Sequence, residues 1–110
     1  MNQLERFNEI INRYSAHGWR LARVLVRPET RAELGSAQKP LADVTWEDAT
    51  VDALWFARAS HAGREAWELR LVAETPYALF ETFEADEEEE DREDVRREME
   101  ARLRDYASRA

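Results

Sequence analysis

The sequence predicts an α+β fold: a four-stranded, mainly antiparallel sheet with the N- and C-terminal helices packed on one of its faces. Three observations carry this expectation. Apolar residues recur at helical spacing near both ends of the chain, and the period falls to two in between. The segments of period two are also joined by connections too short for parallel crossovers.

The first helix is expected over residues 3–16. Leu4, Phe7, Ile10, Ile11 and Tyr14 form one stripe, with Asn8, Glu9, Asn12 and Arg13 opposite. Gly18 suits the left-handed position that closes a helix. The period then changes: over 19–26, Trp19, Leu21 and Leu25 share one strand face, while Ala22, Val24 and Val26 share the other. Pro28 ends that strand and suits the first turn of a short helix closed by Gly35. Residues 35–50 are the least regular, with Thr45 and Asp48 at the spacing of a capping box around one helical turn.

Three more strands follow. Val51, Ala53, Trp55 and Ala57 alternate with Asp52, Leu54, Phe56 and Arg58. A turn at Ser60–Gly63 leads to Trp67, Leu69 and Leu71, which alternate with Glu68 and Arg70. After Thr75-Pro76, Tyr77, Leu79 and Phe83 alternate with Ala78, Phe80 and Thr82. The last helix starts inside an acidic run and extends to about Tyr106, with Val95, Met99, Leu103 and Tyr106 as its narrow apolar stripe. Glu93–Arg97, Glu98–Arg102 and Glu100–Arg104 stand at i,i+4, each pair adding about 0.2–0.5 kcal/mol. The core face of the sheet is expected to take Trp19, Trp55, Trp67 and Leu69.

With 110 residues, 44% of them hydrophobic, the chain has material for one core, and residues 1–110 are expected to form one domain. There is no cysteine, which excludes disulfides, thiolate metal sites and a cysteine nucleophile. No stretch approaches the about 20 apolar residues of a bilayer span, and the acid-containing N-terminus does not resemble a signal peptide. The expectation is a soluble, cytoplasmic protein without a membrane partner. The net charge is −8, and nine of the 24 acids lie between Glu84 and Asp94 with one base, Arg92. The remaining chain carries fifteen acids and fifteen bases. Residues 84–94 are therefore expected to be an acidic linker leading into the C-terminal helix. Without a net basic surface, nucleic acid is not an expected partner.

No motif assigns a reaction. Ser60 and His61 are adjacent, but neighbouring side chains on extended backbone point apart, so a turn explains both. His17 suits a helix C-terminus. Two histidines without cysteine do not make a zinc site. Glu68, Asp52 and Glu81 fall on polar strand faces, as cross-strand ion pairs rather than a hydrolytic carboxylate pair. The acidic run has no glycine at the bend of a calcium loop. The chain is therefore expected to be no enzyme and to need no cofactor.

The suggestive surface is the sheet face left open by two helices on the other side. Arg20, Phe56, Arg58, Arg70 and Phe80 would project from it, mixing aromatic rings and arginines as interface centres do. Residues 35–50, with Leu41, Val44 and Trp46, are the alternative cover for that face. The leading expectation is a non-catalytic protein-interaction module, homodimeric through its sheet. Two others stand beside it: a small-ligand-binding or sensor domain with a pocket lined by Trp46 and Trp55, and an acidic inhibitor or immunity-type protein for a basic partner.

Overall fold

The computed structural model describes residues 2–35 and 41–109. It has three α-helices, α1 (Gln3–Ser15), α2 (Pro28–Leu34) and α3 (Glu89–Arg109), and five strands. The strands are β1 (Arg20–Val26), β2 (Thr45–Asp48), β3 (Ala53–Ala59), β4 (Glu65–Leu71) and β5 (Ala78–Phe83), in the sheet order β2-β1-β3-β4-β5. The α+β expectation holds, with five strands rather than four. The added strand is β2, where the sequence reading placed a helical turn. It lies parallel to β1 at the sheet edge, and the other pairings are antiparallel. Only four residues long, it offers too little alternation to be seen. The single turn of helix falls just before it, at Leu41–Asp43.

The helices do not share a face. Phe7, Ile10 and Ile11 of α1 pack with Val24, Val26, Leu54 and Phe56, together with Leu34 and Leu41. Met99 and Leu103 of α3 pack with Leu25, Ala53, Trp55, Ala57, Trp67, Leu69 and Phe83. Strand residues of opposite parity build the two cores, so the sheet is a middle layer with α1 and α2 on one side and α3 on the other. The continuous run Ala53–Ala57 is fully buried for this reason: both its faces are covered. The expectation of helices on one face treated Leu54 and Phe56 as surface positions, although they are as apolar as their neighbours.

A bulge in β1 explains a second correction. Leu21 pairs with Phe56 and Arg23 with Trp55, so Ala22 has no partner in the register. One extra residue reverses the alternation that follows it. Leu21 and Val24 consequently both join the α1 core, with Trp19, while Leu25 joins the α3 core. The Trp19, Leu21 and Leu25 grouping is therefore divided.

Two polar clusters fix the layers. The carboxylate of Asp52, whose side chain is 2% exposed, accepts from the Arg27 N–H at 2.9 Å, the Thr30 hydroxyl at 2.6 Å and the Gln3 amide at 2.8 Å. It thus ties α1 and α2 to the start of β3, and is a buried anchor rather than a surface ion pair. On the other side Arg96, 1% exposed, stacks 4.0 Å from the Trp67 ring and pairs with Glu89 at 2.7 Å and Glu93 at 3.0 Å. Glu100 accepts from the Trp55 indole at 2.9 Å. Among the described residues no helix is long and apolar enough to cross a membrane.

Candidate functional site

Burial on the α1 side of the sheet falls steadily toward β5. Along one row of paired residues, Phe56 on β3 is fully buried, Glu68 on β4 is half-buried, and Phe80 on β5 is 57% exposed. The cause is the placement of α1, which packs over β1 and β3 and leaves Ala78, Phe80 and Thr82 of β5 exposed. The exposed shelf is floored by Glu68 and Arg70 of β4 and by Ala78, Phe80 and Thr82 of β5, and walled by the C-terminal turn of α1 and by Trp19.

The wall is aromatic. Tyr14 stacks on Phe56 with centroids 4.0 Å apart and planes 8° from parallel. Trp19 meets Tyr14 edge-on at 6.1 Å and Phe80 edge-on at 6.3 Å. The local chain makes this possible. Gly18, at φ +83°, turns the backbone sharply between α1 and β1, and Trp19 N–H donates to Tyr14 O at 3.1 Å. The Tyr14 hydroxyl donates to the Glu68 carboxylate. Burial and that carboxylate together push the Tyr14 hydroxyl up to about 12, because both oppose a second negative charge at this point.

Basic side chains border the rings. The Arg58 guanidinium lies 4.4 Å from the Trp19 centroid and donates to His17 O at 3.0 Å. The Arg70 Nε–H donates to Leu71 O at 3.2 Å. Arg13, Tyr14, His17, Trp19, Arg58 and Arg70 line a cavity of about 370 Å³.

The sequence-derived face is thus partly assembled. Arg58, Arg70 and Phe80 do lie on one surface. Phe56 lies beneath it, covered by Tyr14 rather than exposed. Arg20 is on the other side of the sheet, where its guanidinium comes within 3.9 Å of Glu65. The bulge at Ala22 separates it from the others. Trp46 and Trp55 do not line one pocket: Trp46 packs in the α1 core and Trp55, fully buried, in the α3 core. Sequence reasoning missed Tyr14, His17 and Trp19 as members of the surface. All three precede the first strand, and the turn at Gly18 places them beside β4 and β5.

The acidic run is ordered from within. Glu89 to Asp94 belong to α3, so only residues 84–88 connect. Arg92 donates to Glu84 O at 2.7 Å and Glu87 O at 3.2 Å, and Arg64 pairs with Glu84 at 2.7 Å. Arg96 holds the Glu89 carboxyl below its ordinary range. At Glu93, burial opposes ionisation, but hydrogen bonds from Arg23 and Arg96 prevail and the carboxyl is again lowered. Among the described residues no group of three or more His, Asp or Glu is placed to hold a metal ion.

β5 is the last strand of the sheet. Leu71 N–H donates to Tyr77 O at 2.9 Å, which sets the phase of the β4–β5 ladder. Leu79, Glu81 and Phe83 therefore direct their backbone groups toward β4, while Ala78, Phe80 and Thr82 present theirs outward. Comparison with protein-family models, with curated proteins and with solved structures finds no match.

Proposed function

We propose that the protein is a non-catalytic interaction module that pairs with a second copy of itself through the outer edge of β5. The observation that carries this is Phe80: a large apolar side chain, 57% exposed, at the middle of an edge strand whose N–H and C=O groups point outward. Such an edge is a template for another strand.

Antiparallel pairing about a two-fold axis through Phe80 is self-complementary. Ala78 then faces Thr82 of the partner subunit, the two Phe80 rings lie side by side, and Leu79 faces Glu81 of the partner subunit. Each outward-facing pair exchanges two backbone hydrogen bonds. An aromatic pair contributes about 0.5–1.5 kcal/mol beyond its burial. No acid meets an acid in this register. A shift that centred the axis on Glu81 would oppose two carboxylates, so charge selects the register. The general −8 charge of each chain works against association, and added salt should strengthen the dimer.

Two variants test the reading by sedimentation or light scattering. Thr82→Pro removes an outward N–H without taking a hydrogen bond from the β4–β5 ladder, so the fold is retained and the dimer is lost. Phe80→Glu places two carboxylates at the axis and has the same outcome. A parent chain that sediments as a monomer across the concentration range, or variants that remain dimeric, would refute edge pairing.

A further inference from the structure

We infer that the cavity between Tyr14, Trp19, Arg58 and Arg70 is a binding site for a small organic monoanion, a carboxylate carried on a flat apolar body. This inference does not rest on pairing through β5.

Most arginines of the described residues are paired with a carboxylate. Arg23, Arg27, Arg31, Arg64, Arg92, Arg96 and Arg97 each lie within 4.0 Å of a carboxylate. Arg58 and Arg70, like Arg6, Arg102 and Arg104, have no such partner among the described residues, and of these five only Arg58 and Arg70 line this cavity. No acid lines the cavity. The Glu68 carboxylate is engaged by the Tyr14 hydroxyl. Arg13 is matched by Glu9 at 2.8 Å. Two guanidinium groups without a carboxylate within 4.0 Å thus flank a space walled by two aromatic rings.

Both guanidinium groups are held in place. Arg58 is fixed by the Trp19 ring and by His17 O, and Arg70 by Leu71 O. Each of these contacts engages only some of the five N–H donors a guanidinium carries, so donors remain for an incoming oxyanion. His17 Nδ1–H donates to Arg13 O at 3.1 Å, which fixes the ring at the cavity wall.

Size and charge narrow the class. A cavity of about 370 Å³ falls at the small end of organic-ligand sites. Two guanidinium groups beside the Glu68 side chain favour a single negative charge over a dianion. The rings of Trp19 and Tyr14 offer apolar surface to the body of the ligand. A planar carboxylate meets all three demands, whereas inorganic phosphate leaves the rings unused.

Benzoate is the probe, with benzyl alcohol as its neutral counterpart and inorganic phosphate as a compact anion. Titration of the full chain is followed by amide and indole NMR shifts. Benzoate is expected to saturate at roughly millimolar concentration, the scale for a fragment of this size. The shifts should centre on Tyr14, His17, Trp19, Arg58 and Arg70. Benzyl alcohol, phosphate and the variants Arg58→Gln and Arg70→Gln should each bind about tenfold more weakly. Circular dichroism verifies that the variants are folded. Equal binding of benzyl alcohol, preferential binding of phosphate, shifts centred elsewhere, or no saturation would each overturn the assignment. The same titration on Thr82→Pro separates the two readings: a monomer that still binds benzoate leaves this site standing without the dimer.

Discussion

Asp52→Ala should be among the most damaging single substitutions in the chain, although it touches neither hydrophobic core. The change removes the acceptor for the Arg27 N–H at 2.9 Å and for the Thr30 hydroxyl at 2.6 Å. Thr30 is 1% exposed, so water cannot replace the lost partner. Each donor left unsatisfied costs about 1–3 kcal/mol. The Arg27 guanidinium is 44% exposed and rehydrates, so its share is at most about 1 kcal/mol. The expected total is about 3–5 kcal/mol, a large part of the stability of a domain this size. At about 4 °C per kcal/mol the melting point should fall by roughly 12–20 °C. Asp52→Asn keeps one oxygen for the Arg27 N–H and should cost about 1–2 kcal/mol. Urea unfolding measures both, and a double-mutant cycle with Thr30→Val isolates the 2.6 Å hydrogen bond. An Asp52→Ala variant that loses less than about 1 kcal/mol would show that the anchor is dispensable and that core packing alone positions α1 and α2.

Two further outcomes are expected. The Tyr14 hydroxyl keeps its proton up to about pH 12 in the folded chain, against about 10 when unfolded, so its contribution is complete below pH 10 and lost as pH rises toward 12. With the ring half-buried, the loss should be about 1 kcal/mol. It should vanish in Tyr14→Phe, which parallel unfolding curves at pH 9 and 11.5 would reveal. Arg96 has a buried Nε without a partner, and its planar group packs between Trp67 and Phe83. Arg96→Met should therefore stay within about 1 kcal/mol of the parent, while Arg96→Ala should lose about 2–4 kcal/mol through the cavity it leaves. If the methionine variant unfolds as readily as the alanine variant, the ion pairs with Glu89 and Glu93 matter more than the packing.

The elements legible in the sequence were those whose side chains follow one rule along their length. α1, α2, α3 and the strands β3, β4 and β5 all lie where periodicity, Pro28 and the turn residues put them. What escaped was decided between segments. Which element covers each face of 53–57 depends on where the helices pack, and the alternation of the neighbouring strands does not report it. The run ALWFA is apolar throughout, and that uniformity is the signature of double cover. Arg96 and Glu100 resembled surface residues of a charged helix, yet both are buried, because the indoles of Trp67 and Trp55 accommodate them. For the shelf, Arg58, Arg70 and Phe80 were recognisable from the aromatic-plus-arginine composition. Their neighbours Tyr14 and Trp19 were not, because a turn at one glycine brings them there.

The two edges of the sheet are unequal, and under the proposed pairing this would limit how large an assembly could grow. β2 is four residues long and ends in Glu47 and Asp48, while β5 has six residues with an exposed ring at its middle. A sheet with two receptive edges would add copies without end, as a ribbon. In the proposed pairing through β5, each copy would use up the more receptive of the two edges among its described residues. The association would stop at two, and no separate surface is needed to halt it.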